Sequence, residues 1–426
     1  MIPWTAPAAS GPLRGHVVVP GSKSASARSL LLAALADGPS VLTAVLDSRD
    51  TSLMRVGLAG LGAVVEDAGE GTLHVQPAAR VRGGSTVDCG LAGTVLRFLP
   101  PLAALAAEPT RFTGDPAAAD RPVAGLLDAL AGLGATVSGR RLPFTVSGGA
   151  AVRGGTVQLD AGPTSQFVSA LLLAGARYPE GLEVSHVGGA LPSLPHIEMT
   201  CTLLRRRGVV VDRPTEFSWR VHPGPIAALD ETVEPDLTNA ATLLAAALIT
   251  GGELTTAWPA VSVQPADELV AVLEAFGAQV SYAAGNGGER RLQVCGADGV
   301  RGADVDLHAV SELTPVAAAL AAVADGPSTL RGVAHIRGHE TDRLAALASG
   351  LSGLGVDARE TADGLRITPR TRHGGTFPTH ADHRLAHAAA LVGLVTPGVE
   401  LDDVSCTTKT LPDFPGLWSG LVGSAQ

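Results

Sequence analysis

Lysine is nearly missing from this chain. Of 31 basic residues only Lys23 and Lys409 are lysine, and every other one is arginine. A chain that keeps two lysines against that background needs an ammonium at those places, because lysine can both neutralise an anion and move a proton whereas arginine stays charged. Aromatic residues make up only 3% of the chain, so a core must be built from Ala, Leu and Val. The four cysteines, Cys89, Cys201, Cys295 and Cys406, are far apart and form no CxxC pair. That excludes a disulfide framework or a zinc ribbon and fits a reducing compartment. The longest basic run is Arg205-Arg206-Arg207 and the net charge is −10, which argues against a nucleic-acid partner. Apolar runs such as Phe98 to Ala107 are short and broken by proline, and the first residues lack the pattern of a signal peptide. The expectation is a soluble cytoplasmic protein without a membrane partner.

What is present is a repeat. An Ala/Leu-rich helix ends in a small-residue turn and enters a short strand; a loop, a second helix and a Leu-Gly-Ala-x-Val-like strand follow. The first turn recurs at Gly38, Pro109, Gly181, Gly251, Gly326 and Gly398. The second helix ends at Gly62, Gly134, Gly208, Gly277 and Gly355, where glycine suits a left-handed helix cap. The segments Leu58-Ala-Gly-Leu-Gly-Ala-Val-Val65 and Leu130-Ala-Gly-Leu-Gly-Ala-Thr-Val137 show the likeness directly. Such a unit cannot bury its apolar face alone, so copies must pack together. The first helices, such as Val316 to Val323 and Thr242 to Ile249, are apolar almost all round, which places helices inside and sheets outside. A strand is expected at His16-Val-Val-Val19, and prolines at Pro20 and Pro235 bound three repeats, with three more after. Two domains are expected: residues 1–19 with 236–426, and residues 20–235.

Charge and small polar residues gather at equivalent ends of the repeats. Gly21-Ser-Lys-Ser-Ala-Ser-Ala-Arg28 leads into a helix from Ser29 to Ala36 and offers backbone N–H groups to an anion. It is not a phosphate-binding GxxxxGK[ST] loop, so ATP is not implied. Gly90-Leu-Ala-Gly-Thr-Val-Leu-Arg97 repeats the design, Arg121-Pro122 opens the next helix, and Pro163-Thr-Ser-Gln-Phe167 opens another with uncharged hydrogen-bonding groups. Arg337-Gly-His-Glu-Thr-Asp-Arg343 packs five ionisable groups into seven residues. Glu312 precedes a nearly uncharged helix, as either a helix cap or a general base. His380, His383 and His387 are spaced as a possible metal-binding face, although Arg384 among them would repel a cation. Cys89 adjoins the Gly90 loop, with nothing to assign it a partner base.

These segments together closely resemble the 5-enolpyruvylshikimate-3-phosphate synthase family, over essentially the whole chain. The resemblance rests on the Pro-Gly-Ser-Lys-Ser start, Ala92-Gly-Thr94 with Arg97, Arg121-Pro122, Ser165-Gln-Phe167, Glu340-Thr-Asp-Arg343, Asp382-His-Arg384 and Lys409-Thr410. It implies an inside-out α/β barrel fold of two domains, each of three βαβαββ units, whose cleft closes on substrate. It implies transfer of the enolpyruvyl group of phosphoenolpyruvate to the 5-hydroxyl of shikimate 3-phosphate, by a monomer, with no cofactor and no metal. By resemblance Lys23, Gly93, Arg121, Gln166, Arg343, Arg384 and Lys409 surround phosphoenolpyruvate. Lys23, Ser24, Arg28, Thr164, Ser165, Gln166, Ser193, Glu312, His335 and His339 surround shikimate 3-phosphate. Glu312 is then the base, and Glu340 or Lys23 the proton donor to C3.

The chain departs from the commonest family pattern at several places. Glu312 stands where Asp is frequent, His335 and His339 where Asn and Lys are frequent, and Leu91, Thr164 and His196 for Asn, Ser and Tyr. His339 would make acceptor binding depend on pH. Gly93 is unsubstituted, which implies sensitivity to glyphosate. The sister transferase acting on UDP-N-acetylglucosamine carries a cysteine in the loop before the arginine equivalent to Arg121, and Gly114-Asp-Pro-Ala-Ala-Ala-Asp-Arg121 has none. A non-catalytic anion-binding relative would lack a catalytic lysine or carboxylate, and all are present.

Overall fold

Each repeat folds into one small sheet and two helices. In the second, third and fifth repeats a leading strand runs into a helix, the helix into a strand parallel to the first, and a second helix into an antiparallel hairpin. The computed structural model describes residues 2–285, 290–296 and 298–423; the expected domain ends at residues 1 and 426 lie outside them. The chain divides into a unit of Gly21–Glu234 and a unit of Met1–Pro20 with Pro235–Gln426.

In the Gly21–Glu234 unit the third repeat shows the pattern whole. Gly155–Leu159 pairs in parallel with Leu182–His186, and the latter pairs antiparallel with Ser218–Val221. The helices of this repeat are Gln166–Gly175 and Leu194–Arg206. The first helices of the three repeats, Lys23–Ala34, Gly93–Ala103 and Gln166–Gly175, pack on one another and are buried almost throughout. The leading strand of the first repeat, Glu231–Thr232, comes from the far end of this stretch of chain and lies parallel to Ser40–Thr43. It is pinned by Arg207, whose guanidinium donates to Glu231 at 3.2 Å and to the Ala227 carbonyl at 3.3 Å.

The other unit repeats the plan. Its first helices, Leu237–Thr250, Thr314–Val323 and His383–Gly393, likewise pack together in the core. Arg14–Val17 leads its first sheet, parallel to Glu253–Ala257. The last sheet has three strands among the described residues, because Trp4–Thr5 completes it antiparallel to Val399–Leu401.

Four local features differ from those the sequence predicts. The first helix begins at Lys23, not Ser29, since the Ser22 hydroxyl caps it by accepting from the Ala25 N–H. The strand expected at 16–19 is Arg14–Val17. Pro100 and Pro101 do not break their apolar run: the helix continues through them to Ala103, and the Ala104 N–H still reaches the Pro100 carbonyl at 3.0 Å. Val323 and Ile249 are only half-buried, at the ends of otherwise buried helices. The glycines that end the second helices, Gly62, Gly134, Gly208, Gly277 and Gly355, do lie in the left-handed region, with φ from +77° at Gly208 to +103° at Gly62.

The topology decides where chemistry can gather. In each repeat the two parallel strands run the same way, so both helices start at the strands' C-terminal end. The helix N-termini, with their free N–H groups and positive dipole ends, therefore face one end of each repeat. Among the described residues no helix is long and apolar enough to cross a membrane.

Candidate active site

In the unit that contains residues 235–426, three helix starts and one short turn bring six charged side chains into one network. Asp342 caps the helix Arg343–Gly353 through the Ala345 N–H, and Asp382 caps His383–Gly393 through the Arg384 N–H. Those caps set Arg343 and Arg384 at the first turns of their helices. Glu312 lies in a turn, Ser311–Leu313, just before Thr314–Val323, and Lys409 ends the turn Ser405–Lys409.

Arg343 is the hub. Its side chain is 0% exposed, and its Nε donates to Asp382 at 2.6 Å, its Nη1 to Glu312 at 2.9 Å and its Nη2 to Glu340 at 2.8 Å. Arg384 Nε donates to the same Glu312 oxygen at 2.6 Å, and Lys409 Nζ donates to the other Glu340 oxygen at 2.5 Å. The Arg384 Nη1 atom is buried and has no hydrogen-bond partner. Burial opposes ionisation of Glu312, but Arg343 and Arg384, then His339, overcome it and hold its carboxyl well below the usual carboxylate range. Glu312 is thus an ion-pair partner here and not a helix cap.

His339 Nδ1 lies 3.1 Å from Arg343 Nη1 and 3.5 Å from Glu312. Its ring sits 5.8 Å from that of His335, which in turn lies 6.2 Å from His308. Burial, with His339 and His308 nearby, pushes His335 down to about 3, so this imidazole is neutral.

In the Gly21–Glu234 unit the polar residues also stand at helix starts. Lys23, half-buried, is the first residue of its helix, and the carbonyl of Ser24 accepts from Arg28 Nη1 at 2.9 Å. Arg28 is buried and spends its remaining bonds inside the unit, from Nε to Thr200 at 2.7 Å and from Nη2 to Ser169 and the His196 carbonyl. Its guanidinium also lies 5.0 Å over the Phe98 ring, and burial lowers it to about 9. These bonds make Arg28 a brace between helices of this unit.

Arg97 Nη1 donates to Gln166 Oε1 at 2.8 Å and its Nε to the Pro122 carbonyl at 3.0 Å. Arg121 Nη1 donates to the Leu91 carbonyl at 2.7 Å. Gly93 lies against both arginines: a Cβ there would sit 2.9 Å from Arg97 Nη1 and 3.2 Å from Arg121 Nη1. Thr164 Oγ1 accepts from the Gln166 N–H at 3.3 Å, and Ser165, buried, precedes that helix. Ser193, also buried, precedes Leu194–Arg206 with φ +52°, a strained position for a residue with a Cβ.

The structure therefore joins Glu312, His339, Glu340, Arg343, Arg384 and Lys409 directly, with His335 beside them. It groups Gly93, Arg121 and Gln166 around Arg97, and ties Ser24 to Arg28. Sequence reasoning missed Asp382 as a member of the network; its cap position is legible, but its hold on Arg343 comes from a different repeat. It also missed Thr200 and Ser169, which look like ordinary helix residues. Two other readings lose their footing. Burial, then Asp88, pushes the Cys89 thiol up to about 12, so it holds no thiolate near neutral pH. His380 lies outside the helix at φ +51°, while His383 and His387 are buried within it, so the three form no single face. Among the described residues no group of three or more His, Cys, Asp and Glu could hold a metal ion.

Comparison with known proteins bears on the whole chain. A family model described as EPSP synthase (3-phosphoshikimate 1-carboxyvinyltransferase) matches residues 7–418. An EPSP synthase structure from Acinetobacter baumannii superposes with a TM-score of 0.81 at 24% identity, covering 99% of this chain and 98% of that one. A second structure of EPSP synthase from Acinetobacter baumannii gives 0.80 at 23% identity, with the same coverage. The enolpyruvyl transferase NikO from Streptomyces tendae gives 0.74 at 19% identity, over 98% of this chain and 97% of that one. The fold is that of these transferases: six small mixed sheets with helices.

Proposed function

The chain belongs to the EPSP synthase family of enolpyruvyl transferases, whose members join phosphoenolpyruvate to a hydroxyl acceptor, and from this premise we propose that its acceptor is the 5-hydroxyl of shikimate 3-phosphate. The observation that carries the reading is Arg384 Nη1, a buried guanidinium donor without a partner, set beside Arg343 and Lys409. A buried cationic donor is costly unless an anion meets it. The two substrates bring two phosphates and two carboxylates, which suits Lys23, Arg343 and Arg384 at the first turns of their helices.

In this reading Glu312 takes the proton of the 5-hydroxyl as that oxygen attacks C2 of phosphoenolpyruvate. Glu340 or Lys23 supplies a proton to C3; the tetrahedral intermediate then gives a C3 proton back to that group as its C2–O bond to phosphate breaks, leaving the enolpyruvyl ether and free phosphate. Arg343, Arg384 and Lys409 stabilise the charge that moves onto the leaving phosphate. Gly93, Arg121 and Gln166 flank phosphoenolpyruvate. Ser24, Ser165, Ser193, His335 and His339 attend the acceptor, with Arg28 bracing the helices behind them. The similarity to NikO and the two histidines make the acceptor the point to test. Phosphate release from phosphoenolpyruvate is measured with and without shikimate 3-phosphate, in EDTA. Release that requires shikimate 3-phosphate supports the reading; release that requires a different hydroxyl acceptor, or no release, sinks it.

A further inference from the structure

The cations expected to receive an anion are already matched by carboxylates of the chain itself. Arg343, Arg384 and Lys409 face Glu312, Glu340 and Asp382, so the network is neutral. The three carboxylates are not equivalent. Asp382 is 0% exposed, and besides gripping Arg343 it accepts from the Arg384 backbone N–H at 2.9 Å. It cannot leave without stranding a buried guanidinium. Glu312 and Glu340 are 29% and 16% exposed and lie outside the α-helices, Glu312 in the short turn Ser311–Leu313.

A carboxylate gripped by two guanidinium groups is also a poor base, since a general base works best with a pKa near the operating pH. Glu312 is in that condition. It faces Arg343 from one helix, Arg384 from another, and His339 and Glu340 from the segment before Arg343. Lys409 and Asp382 act on it through Glu340 and Arg343.

We propose that Glu312 and Glu340 are internal place-holders for the anionic group of the substrate, and that an arriving anion displaces Glu312 from Arg343 and Arg384 and thereby turns it into a base. The guanidinium N–H groups that hold Glu312 are the ones an oxyanion would take. Once they are given up, Glu312 loses the charges that stabilise its ionised form and gains an anionic neighbour, and both changes raise its proton affinity. Anion binding and proton uptake are then linked, and each favours the other. Asp382 keeps Arg343 in place while its other two partners exchange. This inference deepens the function proposed above and rests on it for the role of Glu312.

The test uses the whole chain and inorganic anions. Sulfate is the main probe, because it does not change protonation over about pH 5 to 8, and phosphate is the second. Binding is followed by calorimetry in buffers of different ionisation heat, for the unaltered chain, Glu312→Gln and Glu340→Gln. The unaltered chain should take up protons as sulfate binds near pH 5 to 6, and Glu312→Gln should not. Both variants should bind sulfate more tightly, by about threefold or more, because an internal competitor has been neutralised. Proton uptake equal in Glu312→Gln, weaker binding in the variants, or no anion binding at all would overturn the proposal. If Glu312→Gln does not fold, Glu340→Gln carries the affinity comparison and proton uptake by the unaltered chain carries the rest. None of these readouts uses turnover, so a wrong acceptor assignment would leave them intact and would appear only in the phosphate-release assay.

Discussion

Gly93 shows how one missing side chain shapes a site. Its position at the start of a helix is ordinary, but an added Cβ would press on the guanidinium groups of Arg97 and Arg121. Both are held there, Arg121 by the Leu91 carbonyl and Arg97 by Gln166 and the Pro122 carbonyl. Gly93→Ala should therefore raise the KM for phosphoenolpyruvate by about tenfold and leave kcat within about threefold, the sign of a disturbed binding contact. Steady-state kinetics decide it, and an unchanged KM would remove Gly93 from the phosphoenolpyruvate site. Both Gly93 and Arg97 are legible in the sequence as a Gly-Thr helix start with an arginine one turn on. The hold of Gln166 on Arg97 is not, since the two lie in different repeats.

The helix His383–Gly393 carries a cost that only its packing reveals. It is buried along its whole length, and both ring nitrogens of His387 lack hydrogen-bond partners. The His387 ring lies 4.8 Å from Phe414, and burial, with Arg384 adding to it, pushes it down to about 3. The unfolded chain binds a proton here below about pH 6.5, and the folded chain resists until far lower. The unfolded state thus binds more protons across that window, so stability is lost as the pH falls through it, by up to about 1.4 kcal/mol per pH unit. His387→Phe should flatten that slope when denaturant unfolding is compared at pH 7, 6 and 5. Equal slopes would show that His387 is protonated in the folded protein. From the sequence this histidine reads as one of three spaced for a metal; the helix boundary at His383 is what separates His380 from it.

At the scale of the molecule, the chain path closes each unit with a strand borrowed from afar. Glu231–Thr232 completes a sheet that begins almost two hundred residues earlier, and the buried Arg207 fastens it through Glu231. The side chains of Arg207 and Glu231 are 1% and 10% exposed. Removing only the carboxylate leaves an uncompensated buried charge, so Glu231→Ala should cost about 3 kcal/mol. Replacing both residues with apolar ones should cost less. Guanidinium unfolding of the single and double variants checks this, and a single variant as stable as the parent would mean that Arg207 finds water instead. Arg205-Arg206-Arg207 reads in sequence as a run of cations at a helix end, which holds for Arg205 and Arg206 but not for Arg207.

The sequence by itself determined the repeat, the buried first helices, the glycine caps and the residue types at the helix starts. These follow from local rules: apolar period, the freedom of glycine and the direction of a helix dipole act within a few residues. Tertiary structure alone decided which charge meets which. Arg343 faces Glu312 and Asp382 across gaps of 31 and 39 residues, and Arg384 faces Glu312 across 72. Those pairings arise because each parallel βαβ unit turns its helix starts toward one end, where within one unit side chains distant in the chain come within hydrogen-bond reach and set one another's protonation.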